Sequence, residues 1–207
     1  MCQRSCFLRA VCLAVLVLVM ALAAGRGRDL AWAGESDAWA ALRQPGTAAL
    51  MRHALAPGTG DPDSFTLGDC ATQRNLDARG RAQARAIGDA FRAQGIAVDR
   101  VMTSQWCRAR ETARLLDLAP VTDLPSLNSF FTERGKKARR TRAIRRFLAD
   151  LPPDTQVVLV THQVNITALT GVFPASGEVL VIAMDGDGES SGDGGTLDVK
   201  GRIHLRP

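Results

Sequence analysis

Histidine is scarce in this 207-residue chain, with three residues, and cysteine is scarcer than its count of five suggests. Cys2, Cys6 and Cys12 crowd the first dozen positions, which leaves only Cys70 and Cys107 in the rest. No internal repeat or convincing linker follows the N-terminal segment, so the pattern argues against several domains. The longest apolar run, Ala10 to Ala24, falls short of the roughly 20 residues that a membrane-spanning helix needs. No cysteine follows it at a lipidation-like position. Aromatics make up 5 % of the chain, and none interleaves the basic stretch 134–146 as a nucleic-acid surface would want.

What is present begins with an address. Arg4 and Arg9 precede the apolar run, and Ala31-Trp32-Ala33 offers small residues where signal peptidase reads. That is the three-part pattern of a secretory signal over residues 1–33, with an uncleaved anchor as the alternative. Removing 33 of 207 residues leaves 174, enough for one domain with a sizeable core (34–207). Four arginines and one aspartate leave with the signal, so the net charge of +5 falls to about +2. Basicity therefore says little about partners. Two remaining cysteines in an exported domain suggest one disulfide.

Hydrophobic periodicity predicts strands near Thr47–His53, Val98–Thr103 and Gln156–Thr161, and two more near Glu178–Met184 and Leu197–Leu205. Helices are predicted over Ala78–Gln94, Trp106–Leu118, Ala138–Leu151 and Val164–Thr170, with Asp77 as a cap and Gly95 as a stop. The third should place Ile144, Phe147, Leu148 and Leu151 inward and its arginines outward. Alternating strands and helices imply an α/β fold, a three-layer α/β/α sandwich with a mostly parallel central sheet. In such sheets ligands bind at the carboxyl ends of strands.

Three predicted strand ends carry arginine and histidine. Arg52-His53 ends the first, Ser104 to Arg108 follows the second, and Thr161-His162 ends the strand at 156–161. If these strands are parallel neighbours, two guanidinium groups and two imidazoles converge on one point. Such a pocket suits phosphate: guanidinium binds phosphate oxygens in pairs and stays charged at any working pH. A histidine can also attack phosphorus. The residues alone do not choose between His53 and His162 as attacker.

The same stretches resemble the histidine phosphatase superfamily, the phosphoglycerate-mutase-like group. They are "LMRHA" at the first strand end, "SQWCRARETA" at the helix start, and "VVLVTHQVNI" around the second histidine. The intervening "TQRNLDARGRAQARAIGDAFR" is similar as well, so the resemblance spans about residues 47–171. It implies a phosphoglycerate-mutase-like fold, His53 as nucleophile, and Arg52, Arg108 and His162 holding the phosphoryl group, with no metal or other cofactor. A Cys-dependent phosphatase is excluded, since Leu76 and Ala113 stand where its arginine should be, six residues after each cysteine. Cys70 and Cys107 flank two loops of the implied site, and a disulfide between them is expected.

Two departures matter. Ala54 replaces the glycine commonest after Arg-His, and Gln163 stands where one branch has an acid. An amide cannot donate an acid proton. Other branches place a glutamate after the middle strand, where Glu133 is the nearest candidate, with Asp69 and Asp63 as weaker ones. The expected function is an exported, periplasmic or secreted phosphatase acting on a small phosphorylated substrate through a phosphohistidine. The alternatives are a phosphotransferase and a non-catalytic phospho-ligand binder. Eight of the thirteen positions from Arg134 to Arg146 are Lys or Arg, and they read as the solvated face of a helix. The Gly/Asp/Ser stretch 184–195 lacks EF-hand spacing and reads as a hairpin loop. No nucleic-acid partner is expected, and membrane contact only through an uncleaved signal.

Overall fold

In the computed structural model, residues 34–184 and 195–205 are described. The expected signal segment and most of the loop expected at 184–195 lie outside the described residues. Among the described residues no helix is long and apolar enough to cross a membrane.

Val157–Thr161 (β4) is buried at every position, and that requirement sets the architecture. A strand with no polar face must be covered on both sides. β4 lies between β2 (Arg100–Thr103) and β1 (Thr47–Arg52) in a sheet ordered β3-β2-β4-β1-β5-β6, where β3 is Val121–Asp123, β5 Val179–Ala183 and β6 Val199–Ile203. Successive side chains alternate between two apolar layers. Met51, Val158, Val160 and Val181 face one, packed with Trp39 of a helix ending at residue 42 (α1), Ile87 and Phe91 of α2 (Ala78–Ala93), and Leu116 of α3 (Cys107–Leu116). Leu50, Leu159, Leu180 and Ile182 face the other, with Ile144 and Leu148 of α4 (Lys137–Ala149) and Ile166 and Leu169 of α5 (Gln163–Thr170). This is the three-layer sandwich that the sequence predicts.

"Mostly parallel" holds for four strands. β1, β2, β3 and β4 pair in parallel, whereas β5 and β6 run antiparallel, β5 on β1 and β6 on β5. β3 escapes sequence reading because it is a three-residue edge strand, largely exposed, with no run to detect. The expectation that all the α4 arginines point outward is also corrected. Arg140 is buried and donates from Nη1 to Asn128 O at 2.8 Å and to Ser129 O. α4 covers the loop after β3, and the carbonyls of that loop need donors.

Caps fall where expected. Asp77 accepts from Gly80 N at 2.7 Å, opening α2, and Gly95 takes φ +66° just past its end. Gly80 has a second role: a Cβ there would lie 1.9 Å from Leu55 O, so α2 sits directly on the backbone that leaves β1. Gly80→Ala should therefore lose about 1–3 kcal/mol through forced backbone shifts, against a helix-propensity gain of no more than about 1 kcal/mol. Urea unfolding measures the difference, and a neutral or stabilising result would refute the close approach.

Candidate active site

Register brings the strand ends together. Arg52 pairs with Thr161 across the parallel β1–β4 ladder, so His53 and His162 each stand one residue past it. Their ring centroids are 5.4 Å apart, and both rings are buried. Arg108, in the first turn of α3, reaches between them and is 3 % exposed. A cavity of about 560 Å³ opens over these ends, lined by Arg52, His53, Asp61, Arg74, Trp106, Arg108 and His162, with Asp63, Glu133 and Gln163 also contributing. The four residues expected to converge do so.

The tautomer of His53 follows from its partners. Nδ1 lies 2.8 Å from Ala54 O, a carbonyl that can only accept, so Nδ1 carries the proton. Arg108 Nε, which can only donate, points at Nε2 from 3.2 Å. Nε2 is therefore unprotonated, and in the free protein its one lone pair accepts from Arg108 Nε beside the cavity. His162 Nε2 lies 2.8 Å from Ser104 Oγ, which is 3.3 Å from Asn128 Oδ1. Asn128 is oriented by the Gln105 N–H donating to Oδ1 at 2.8 Å. All three groups are satisfied when His162 donates to Ser104 and Ser104 to Asn128.

These contacts give the "SQWCRARETA" spacing a physical reading. Ser104 positions His162, Arg108 faces His53, and Thr112 Oγ1 accepts from Ala54 N at 3.0 Å while donating to Arg108 O at 2.7 Å. One turn of α3 thus ties the Arg-His backbone to the arginine that faces it. Arg52 is anchored by donating from Nη1 to Pro174 O at 2.9 Å, and its Nε is buried without a partner. That nitrogen is a free donor beside an anion-shaped space.

Sequence reasoning missed three residues of the site. Asp61 forms a two-pronged ion pair with Arg108, Oδ1 to Nη1 at 2.5 Å and Oδ2 to Nη2 at 3.1 Å. Arg74 donates from Nε to Gly60 O at 2.7 Å and from Nη1 to Ala56 O, holding the loop that carries Asp61. Gln73 accepts from Cys107 N at 2.9 Å, capping α3 from outside. The "TQRN" stretch signalled the last two, but nothing in an irregular loop marked Asp61. Of the candidate carboxylates, Asp69 is spent capping a short turn at Ala71 N, and Asp63 is exposed on the cavity wall. Glu133 reaches the cavity but is ion-paired to Lys136, with Arg140 at 4.0 Å. The Lys136 contact holds its carboxyl below the usual range, so in the free protein it is ionised.

Burial pushes both imidazoles well below their ordinary value of 6.5, with the charge of Arg108 adding to the effect. Burial and Arg108 likewise bring the Arg74 guanidinium down to about 10. For the histidines the sign is definite. Below pH 6.5 the unfolded chain protonates them and the folded chain does not, so stability falls as pH drops. Between pH 7.5 and 5.5 each contributes a loss of up to about 1.4 kcal/mol, above the range where carboxylates titrate. Urea midpoints at the two pH values should separate accordingly, and the separation should shrink in a His53→Gln, His162→Gln double variant.

Cys70 and Cys107 are bonded, as expected, which joins the loop before "TQRN" to the start of α3. The bond spans 37 residues of sequence, and in a chain-entropy account it contributes about 2–4 kcal/mol. Reduction should lower the unfolding free energy by that amount, with a matching fall in the urea midpoint, and weaken anion binding at Arg108. An unchanged midpoint after complete reduction would refute the assignment.

Three solved structures share the fold. The protein histidine phosphatase SixA, complexed with tungstate, superposes with TM-score 0.54 at 16 % identity, covering 76 % of this chain and 96 % of that one. Phosphoserine phosphatase from Entamoeba histolytica, in complex with 3-phosphoglyceric acid, gives 0.53 at 12 % identity, covering 77 % and 98 %. Mycobacterial glucosyl-3-phosphoglycerate phosphatase gives 0.51 at 16 %, covering 75 % and 97 %. No curated protein sequence matches the chain. His162 lies past the end of the family match and is joined to the other site residues by the fold alone. Residues 49–131, with Arg52, His53 and Arg108 among them, match the histidine phosphatase superfamily (branch 1).

Proposed function

We propose that this chain is an exported phosphatase that hydrolyses a phosphomonoester, or a similar small phosphorylated substrate, through a phosphohistidine at His53. The observation that carries the reading is the state of His53: a neutral imidazole, its proton fixed on Nδ1 by Ala54 O, which leaves Nε2 unprotonated on the cavity and held only by the Arg108 donor that an incoming phosphate would draw away. A nucleophilic histidine needs that state.

The transferred phosphoryl group carries its charge on three equatorial oxygens, so catalysis is largely positioning and charge stabilisation. Arg52 and Arg108 supply positive charge and paired donors, and His162 adds a third contact once the bound anion brings a proton onto its Nδ1. No metal is needed for that work. In the first step Nε2 bonds to phosphorus as the ester P–O bond breaks. In the second, water attacks phosphorus and the N–P bond breaks, returning the imidazole. The leaving oxygen takes a proton, and Glu133 enters this reading as one carboxylate on the cavity able to serve it, once freed from Lys136. The N-terminal signal pattern and the Cys70–Cys107 bond support export, since disulfides persist in oxidising compartments. Gln163, standing where an acid is absent, is what favours a phosphotransferase or a pure binder as the second reading.

Protein purified from an oxidising compartment should release phosphate from p-nitrophenyl phosphate without added metal. His53→Ala should lower turnover by at least about a thousandfold and remove an acid-labile phosphoprotein trapped from wild type. Phosphate binding without release on a panel of esters would favour the binder, and exchange between substrates would favour the phosphotransferase.

A further inference from the structure

The anion position on Arg108 is filled by the protein itself. Asp61 Oδ1 accepts from Arg108 Nη1 at 2.5 Å and from Arg74 N at 3.1 Å; Oδ2 accepts from Arg108 Nη2 at 3.1 Å and from Trp106 Nε1 at 3.0 Å. Four donors converge on two oxygens, as they would on two oxygens of a phosphate. The third nitrogen of the same guanidinium points at His53 Nε2. A phosphoryl group placed for attack by Nε2 lies against Arg108, and to be gripped by its two terminal nitrogens it must take them from Asp61.

The loop allows that exchange. Gly58 and Gly60 precede Asp61 with φ of +89° and +72°, conformations open to glycine, and the Asp61 side chain is 16 % exposed, at the cavity wall. Displaced by a phosphate, Asp61 stays beside that phosphate because its loop is tied by Arg74 to Gly60 and Ala56.

Resting on the phosphatase reading, we propose that Asp61 is a catalytic residue for the same reaction, a stand-in for phosphate in the free protein that becomes the proton donor to the leaving oxygen once substrate displaces it. The chemistry reverses when the partner is lost. Burial favours the protonated carboxyl of Asp61, and the hydrogen bonds and charge of Arg108, with Trp106 and Arg74 N, outweigh it in the free protein. When phosphate oxygens take those donors, burial remains and a dianion stands alongside, and both favour the acid form.

The proton balance closes. Substrate enters as the monoanion, whose second ionisation lies near pH 6, and passes its proton to the freed Asp61. As the N–P bond forms and the P–O bond breaks, Asp61 gives that proton to the leaving oxygen. In the second step the carboxylate takes a proton from the attacking water while the N–P bond breaks, and it passes that proton to the phosphate, which leaves as the monoanion while Asp61 returns to Arg108. This supplies the acid that Gln163 cannot, from the loop after β1.

Asp61→Asn, in the full chain with its disulfide intact, separates the two roles because they move in opposite directions. By calorimetry the variant should bind inorganic phosphate about tenfold more tightly than wild type, having lost the competing carboxylate. The rate at which it forms the phosphohistidine from glycerol phosphate should fall about a hundredfold, the scale of general acid catalysis, and the rate from p-nitrophenyl phosphate less than about threefold, because nitrophenolate leaves without a proton. Asp61→Glu, which restores a carboxyl, should regain much of the glycerol phosphate activity, and serves if the asparagine variant folds poorly. Equal losses on both esters, unchanged phosphate affinity, or the leaving-group dependence appearing in Glu133→Gln in place of Asp61→Asn would overturn the assignment while leaving the phosphatase reading intact. Wild-type protein inactive on both esters would overturn both.

Discussion

The in-register parallel pairing of β1 with β4 is the constraint on which the site depends. Because Arg52 opposes Thr161, the residues that follow meet as neighbours, His53 beside His162, with 108 residues of chain between them in sequence. A slip of one residue would turn the alternating Ala48–Met51 side chains onto the wrong layers and separate the rings. The two apolar layers that sandwich the sheet therefore hold the geometry of the site as well as the fold. Ser104 joins them because β2 pairs on the other side of β4, with Thr103 opposite Val160.

Converging cations at one point creates a second problem, which the loop after β1 solves. Arg108 is nearly as buried as the core, and a buried unpaired guanidinium carries a heavy desolvation cost. Asp61 offsets that cost in the free protein and leaves the two histidines neutral. A pocket of converging cations is thus kept assembled by an anion of its own. This is local tension of the kind that functional sites tolerate: the partner that makes the folded state affordable competes with the ligand.

Most of the fold was legible because burial on both faces leaves an unmistakable trace, as at "QVVLVT". What was not legible follows from physics that composition does not record. Strand direction leaves no mark in a hydrophobic run, so β5 and β6 read as strands without revealing that they run antiparallel. Arg140 belongs to a stretch that is basic all along its length, and only the carbonyls it meets show which arginine is buried. At the site, Arg52, His53, Arg108 and His162 were readable because regular elements place them at strand ends. Asp61 sits in an irregular loop where no period ranks one aspartate above another, and Asp63 and Asp69 were equally plausible on spacing alone. Glu133 was found on the cavity, but its pairing with Lys136 could not be read from its neighbours in sequence.

The bond between Cys70 and Cys107 has a consequence in time as well as in space. Cys107 is the residue before Arg108, and Cys70 closes the segment that carries Asp61, so both halves of the ion pair hang from one covalent tie. While that tie is open, the loop and the helix start are held together by noncovalent contacts alone, the Asp61–Arg108 pair and Gln73 to Cys107 N among them. A reduced chain would carry every residue of the site without the covalent fastening of this corner. Oxidation then acts as the last step of assembly, and it ties the maturation of the pocket to the redox state of the chain's surroundings.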